Sequence, residues 1–569
     1  MHFPFTFTWR AVCCACLLLL PKSVCAETPW PTASVERVAE SSINEATLRA
    51  HIRFLADDLL EGRAPGSRGD ELAQRYTIAQ FAALGLQPAA QNGWLQPVPL
   101  VGVTTRAPDQ LTFRTANDKL ELKRHDDYIL ATGRPAEAIQ IEDAELVFVG
   151  YGIVAPEYDW DDYKGVDLRG KILVMMNNDP ADDPQLFAGR TRLYYGRWDY
   201  KYEMAARQGA AGALIIHTTE SAGYPYQVVQ TSWSGEEFEL REMTGPRLET
   251  RGWLTDESAQ RIAELAGKSL DDLRRQAESR DFRPVPLGVS TSISLTARVR
   301  ERDTANVLGL LPGSDASKSR ETVIVMAHHD HIGMAESRDE NGDNIYNGAV
   351  DNASGMATML SLAKAFTDLP ERPARSVLFA AVGAEEQGLL GSAYYAAHPT
   401  IPPGYLAAVV NVDGMNIWGK SRDVNVIGLG KSNLDELVSR VAGWQKRVVT
   451  PDSFPDRGYY YRSDQFSLAK IGVPGVYLHS GIHIIDRPDD WGRLQQEDWV
   501  KTNYHQPSDE YLESWDVSGG VQDAQLLFHT AWLIAQQADM PTWMDNDEFQ
   551  APRLRALEER RQQETTAGR

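Results

Sequence analysis

The chain has 569 residues, too many for one ordinary core, so two or more domains are expected. Its 43% hydrophobic and 24% charged residues are ordinary for a soluble globular protein. With 57 basic against 79 acidic residues the net charge is −22, which repels phosphate backbones and anionic lipid and excludes nucleic acid and acidic membrane surfaces as partners.

The first segment reads as a secretory signal over residues 1–26. Arg10 is the basic flank, Ala11 to Leu20 the apolar core, and Val24-Cys25-Ala26 the small-residue cleavage site. The apolar run is too short to span a bilayer comfortably, and no later segment is long and apolar enough to do so. The expectation is an exported protein, periplasmic or secreted, with no stable membrane insertion after cleavage. All four cysteines (Cys13, Cys14, Cys16, Cys25) lie inside this segment. The mature chain then has no disulfide, no thiolate metal ligand and no cysteine nucleophile.

Residues 27–143 begin with helical patterns. ATLRAHIRFLADDLL and RGDELAQRYTIAQFAALGL carry apolar residues at three- and four-residue spacing, joined by the turn-rich loop EGRAPGSRG. That loop reads equally as a functional element and as a polar connection. From 144 to 290 the texture changes: AELVFVGYGIV, KILVMMNN and AGALIIH read as strands and KYEMAARQGA as a helix, the pattern of a separate, smaller α/β module. Within it, AGRTRLYYGRWDYKYE concentrates aromatic and basic side chains. It reads either as a lid that reaches over a site or as packing for its own module. Arg192, Arg197 or Lys201 facing the site would favour a substrate carboxylate.

From 291 to 540 strands and helices alternate: ETVIVMAHHD, RSVLFAAVGAEE, YLAAVVNVDGMN and KIGVPGVYLHSG as strands, ASGMATMLSLAKAF, GLLGSAYYAAHP and KSNLDELVSRVAGWQ as helices. Nearly continuous apolar strands with intervening helices predict an α/β fold, a mostly parallel central sheet covered by helices on both faces. Residues 541–569 read as a charged, frayed tail.

Ligands of such a sheet bind beyond the carboxyl ends of its strands, and three predicted strands end in potential metal ligands. They are His328-His329-Asp330-His331, Glu385-Glu386 and Asp413; the loop NGAVDNASG adds Asp351, and NYHQPSDE adds His505. Alternation puts His328 and Asp330 on one side of their strand. Asp330 can then accept from the second ring nitrogen of His328, directly or through a neighbour, while His329 and His331 read as lining or structural residues. Imidazole mixed with carboxylate and no thiolate suits Zn²⁺. One carboxylate between two metals can bridge them, and one member of the Glu-Glu pair can ligate while the other acts as general base.

The ordered set AHHD, VDNASG, AEEQGLLGS, NVDGMN and YHQPSDE resembles the di-zinc aminopeptidase family, which also holds glutamate carboxypeptidase, glutaminyl cyclase and the transferrin receptor. The likeness covers residues 305–535 and reaches back to FLADDLLEGRAPGSRG; residues 144–290 resemble the protease-associated domain that some members insert. The resemblance implies two Zn²⁺ per chain, His328 and Asp413 on one, Glu386 and His505 on the other, and Asp351 bridging, followed by a cis peptide to Asn352. It implies Glu385 as general base, Asp330 as support for His328, and Tyr504 in contact with the tetrahedral intermediate. The implied activity is removal of N-terminal residues from peptide substrates by water shared between the metals. A glutamate-carboxypeptidase-like or dipeptidase activity is the alternative; a glutaminyl cyclase fits less well, because that branch works with one zinc and usually lacks the insert, and a non-catalytic receptor-like module fits less well because no ligand or base position is substituted. Tyr504, Trp491 and Trp499 read as pocket walls or as core.

Overall fold

The computed structural model describes residues 32–567 except 182, 184–185, 234, 243–244, 336 and 339–341; the expected signal segment and all four cysteines lie outside the described residues. Two large apolar cores organise the chain. The first gathers helices and strands from residues 35–86 and 307–535, the second residues 111–295.

Four parallel strands form the centre of the larger domain, in the order Ser376–Val382, Thr322–His328, Leu406–Asn411, Gly475–His479. Every residue of the first three is buried, which is why they read as unbroken apolar runs. The helix Gly355–Asp368 buries eleven of its residues against one face, with Ser518–Gln536 beside it. The helices Leu390–Ala397 and Gln465–Lys470 cover the other. The chain steps from Thr322–His328 outward to Ser376–Val382 and then crosses to Leu406–Asn411 on the opposite side. His328 therefore ends the strand at the topological switch point, where crevices open in such sheets. The observed sheet and helix layers match the expected fold class.

The second core carries a parallel sheet of its own, Ala138–Phe148, Ile172–Met176, Gly212–His217 and Thr250–Thr255, with the antiparallel strand Tyr128–Thr132 at its edge. This core begins at Leu111, so the expected boundary at 144 falls inside it. The strands Gln110–Arg114, Lys119–Lys123 and Tyr128–Thr132 are too short, and too interrupted by turns, to show a period that assigns them to one core. One 27-residue strand, Val285–Leu311, joins the two sheets. It pairs with Ala138–Phe148 at its start, with Leu95–Arg106 along its middle and with Ser376–Val382 at its end.

The tail is not frayed over its described length. Gln550–Ala567 is a helix whose Arg553, only 2% exposed, donates to the carbonyls of Leu406 and Pro541, while Arg560 pairs with Glu321. The charge pattern read as solvated because nothing local reveals that the Leu406 carbonyl, 147 residues away, accepts from Arg553.

Candidate metal centre

Strand ends and loops of the larger domain deliver acidic and imidazole groups to the same place. His328 Nε2 lies 3.3 Å from Asp413 Oδ1 and 3.4 Å from Asp351 Oδ1. His505 Nε2 lies 3.0 Å from Glu386 Oε2 and 3.4 Å from Asp351 Oδ2. Asp351 thus offers one oxygen to each histidine, as a bridge requires, and its peptide to Asn352 is cis. Tetrahedral zinc with bonds of 2.0–2.1 Å spaces neighbouring ligand atoms by about 3.3–3.5 Å, which these separations approach. Although buried, His505 Nε2 has no hydrogen-bond partner. Imidazoles and carboxylates crowded around one point, with the Nε2 of His505 left unpartnered, fit a cation there. The residues brought together fit two Zn²⁺.

The supports of this centre are mostly long-range. Asp330 does not orient His328 as directly as alternation suggested: its Oδ1 stands 3.8 Å from Nδ1, and the nearer acceptor is its own backbone carbonyl at 3.3 Å. The carboxylate instead accepts the backbone N–H groups of Glu385 and Glu386, at 3.1 and 3.4 Å, so it positions the general-base candidate. His329 points away and bonds Asp70 at 2.8 Å, as a structural residue. His331, expected to be a lining or structural residue, meets Glu386 Oε1 at 2.5 Å and forms a potential ligand group with Asp351 and Glu386. Two of the three clustered histidines therefore reach the acidic centre. Strand alternation failed for His331 because the strand ends at His328 and the chain turns.

Arg63, from the loop EGRAPGSRG, is 1% exposed and donates to the carbonyls of His329, Asn347 and Gly348 at 2.9, 2.6 and 3.1 Å. That loop scaffolds the site. Asp509 accepts the N–H groups of Val350 and Asp351 at 3.0 and 3.1 Å, and Asn352 ties the Asp351 loop to Val412 and Gly414. In this loop Gly348 has φ +55°, and an added Cβ would stand 2.2 Å from the Asp351 carbonyl oxygen.

The second module reaches into the same place. Ser232 Oγ lies 2.9 Å from His505 Nδ1, Thr231 donates to the His505 carbonyl at 3.3 Å, and Gln227 donates to Gln506 at 3.1 Å. His505 itself has φ +56°. The module thus holds the ring from its Nδ1 side, with Nε2 turned toward Glu386 and Asp351. Nothing in the sequence marks Ser232 for this, since the pairing spans 273 residues.

The aromatic-basic stretch packs its own module. Lys201 is fully buried and donates to the carbonyls of Tyr151 and Asn178; Arg192 donates to Asn178 and to the Ser221 carbonyl; Arg197 pairs with Asp199. Tyr195 and Trp198 join the same core, and Tyr194 spans to Phe466 of the larger domain. From this module it is Gly223 and Tyr224 that line the crevice. Glu385, Asp413, Met415, Trp418, Trp499 and Tyr504 are among the other walls. Trp491 is not; it packs under Arg487.

Electrostatics follow from burial. Burial alone would lower His505, but the charges of Glu386 and Asp351 outweigh it and raise it to about 9; His328 is likewise raised, by Glu385, Asp351 and Asp413. Burial drives the Glu385 carboxyl well above the usual range and raises Asp330 and Asp509 to about 6. So many acids in one dry place need a cation, and two divalent ions would reverse the local preference for protons.

Residues 306–528 match the model of Peptidase family M28. The match covers that segment alone, less than half of the chain. The chain is similar to the aminopeptidase YwaD of Bacillus subtilis, 33% identical over 207 residues (36% of this chain, 39% of the relative), and to a probable zinc metalloprotease of Pyricularia oryzae, 34% identical over 128 residues (22% of each). The aminopeptidase NAALADL1 of Rattus norvegicus is 32% identical over 111 residues, 19% of this chain and 13% of the relative. The match therefore spans well under half of each curated relative. Among solved structures, the aminopeptidase of Aneurinibacillus sp. strain AM-1 superposes with a TM-score of 0.53 over 89% of this chain and 97% of that one, at 20% identity, a likeness of fold.

Proposed function

We propose that this M28 protein is a zinc-dependent aminopeptidase acting on peptides. The observation that carries the reading is Asp351, set with one oxygen toward His328 and the other toward His505. His328 and Asp413 would hold one Zn²⁺, His505 and Glu386 the other, with His331 beside the second. Bound there, the ions supply Lewis-acid polarisation of the scissile carbonyl and lower the pKa of water. Glu385, 8% exposed and 4.0 Å from His328 Nε2, takes the proton from the attacking water and returns it to the leaving amine. Arg462 donates to the Tyr504 oxygen at 3.0 Å, which leaves the phenol proton free to meet the carbonyl oxygen as charge develops there. Met415, Trp418, Trp499 and Leu527 give the crevice apolar walls for a substrate side chain.

Two of the relatives bear the name aminopeptidase, which supports a cut at the amino end. Export through residues 1–26 belongs to the same reading, as does a protease-associated character for the second module. The test is metal content of the mature protein with hydrolysis of leucyl-p-nitroanilide, with and without chelator. About two zincs per chain and chelator-sensitive release are expected; two zincs with no release from any peptide with a free amine would overturn it.

A further inference from the structure

Two arginines line the same crevice as the acidic cluster, and neither forms an ion pair among the described residues. Arg462 donates to the Tyr504 hydroxyl at 3.0 Å, and its guanidinium stands 5.4, 5.3 and 5.8 Å from the ring centres of Tyr224, Tyr459 and Tyr504. Arg457 donates to the Tyr459 hydroxyl at 3.2 Å and lies 4.1 Å from the Phe454 ring centre. Tyr459 thus sits between the two. Each guanidinium has five N–H groups, and one hydrogen bond satisfies few of them. Every other arginine or lysine discussed for this region is consumed by carbonyls or acids, Lys201 and Arg192 included. The acids of the crevice are those assigned to metal and proton transfer, plus Asp523, which pairs with Arg447.

We propose that Arg457 and Arg462 form a carboxylate subsite, so that the preferred substrates carry a carboxylate a short way from the scissile bond. This rests on the hydrolase reading above. The carboxylate has two possible sources: the C-terminus of a di- or tripeptide, or an acidic side chain. A planar fork of donors on an aromatic floor matches either oxygen pair. Tyr224 places part of that floor on the second module, so the subsite is complete only when both domains meet.

The zinc-loaded protein would be assayed on matched pairs: Leu-Gly against leucyl-glycinamide, Leu-Gly-Gly against its amide, and glutamyl- against glutaminyl-p-nitroanilide. The first two pairs report a C-terminal carboxylate and the third an acidic side chain. The wild type should favour the carboxylate member of at least one pair by about 10- to 100-fold in kcat/KM, the range for a charge-assisted hydrogen bond. R457Q and R462Q should each bring that ratio toward one, R457Q chiefly through KM and R462Q with an added loss of kcat on both members of a pair through Tyr504, with R457K recovering part of the ratio. A wild-type ratio near one in every pair, or a ratio untouched by both substitutions, would overturn the subsite. Zinc-loaded E385Q, titrated with the same pairs, reads the preference by affinity alone. Absence of turnover in the wild type would then sink the hydrolase reading, while the affinity ratio still decides the arginines.

Discussion

The two halves of the metal centre are built differently. The His328–Asp413 half sits on the ends of two buried, directly paired strands of one sheet. The His505–Glu386 half hangs on loops, and its histidine is steadied by a serine from another core. The first inherits the rigidity of a packed sheet, where small displacements are costly. The second is as well defined as the contact between two domains, and such contacts yield more readily than cores.

The largest effect should come from a residue that belongs to neither half. Glu385→Gln should lower kcat by about 10²- to 10⁴-fold while both metals stay bound, checked by steady-state kinetics and elemental analysis on one preparation. Loss of a zinc in this variant would make Glu385 a ligand instead. Next, His328→Ala and His505→Ala should each reduce the tightly bound zinc from about two to about one per chain, as counted after gel filtration. Retention of both zincs in His505→Ala would promote His331 to ligand.

Ser232→Ala sharpens the contrast further. It should weaken one zinc by about 10- to 100-fold and leave the other unchanged, a split that titration calorimetry resolves. Equal weakening of both would show that the halves are not independent. The smallest effect is a pH dependence of the metal-free fold. His505 is raised from its ordinary 6.5 to about 9, so its contribution to stability is fully present below about 6.5 and is lost as pH rises through about 9. Metal-free protein should therefore melt lower at pH 9.5 than at pH 6, and His505→Ala should shrink that difference; thermal melts in chelator check both.

Much of this was legible because the chemistry is local to strand ends. Thr322–His328 and Leu406–Asn411 announce themselves by unbroken apolar runs, and each is followed at once by its polar residue. His505 and Asp351 were legible as potential ligands in turn-rich loops, with their roles given by the resemblance, and the structure brings the two together. What the sequence hid are pairings across distance. Ser232 and Asp509 look like any loop residues, and Arg63 like any turn cation, until the fold brings His505, the backbone of Asp351 and the carbonyl of Gly348 to them. The long strand Val285–Leu311 was missed because its polar alternation in the module gives way to a continuous buried run in the larger domain, so no single period describes it. Arg457 and Arg462 were passed over for Arg192, Arg197 and Lys201, since composition shows where cations are dense but not which are already satisfied.

The hydrogen bond from Ser232 to His505 carries an obligation that runs both ways. If contact between the domains tightens the second zinc by some factor, the zinc must tighten that contact by the same factor, because the two equilibria share one thermodynamic cycle. Metal scarcity would then loosen the seam between domains before either core melts, and the same loosening would carry Tyr224 away from Arg462. The second ion becomes a latch on the architecture as well as a participant in its chemistry.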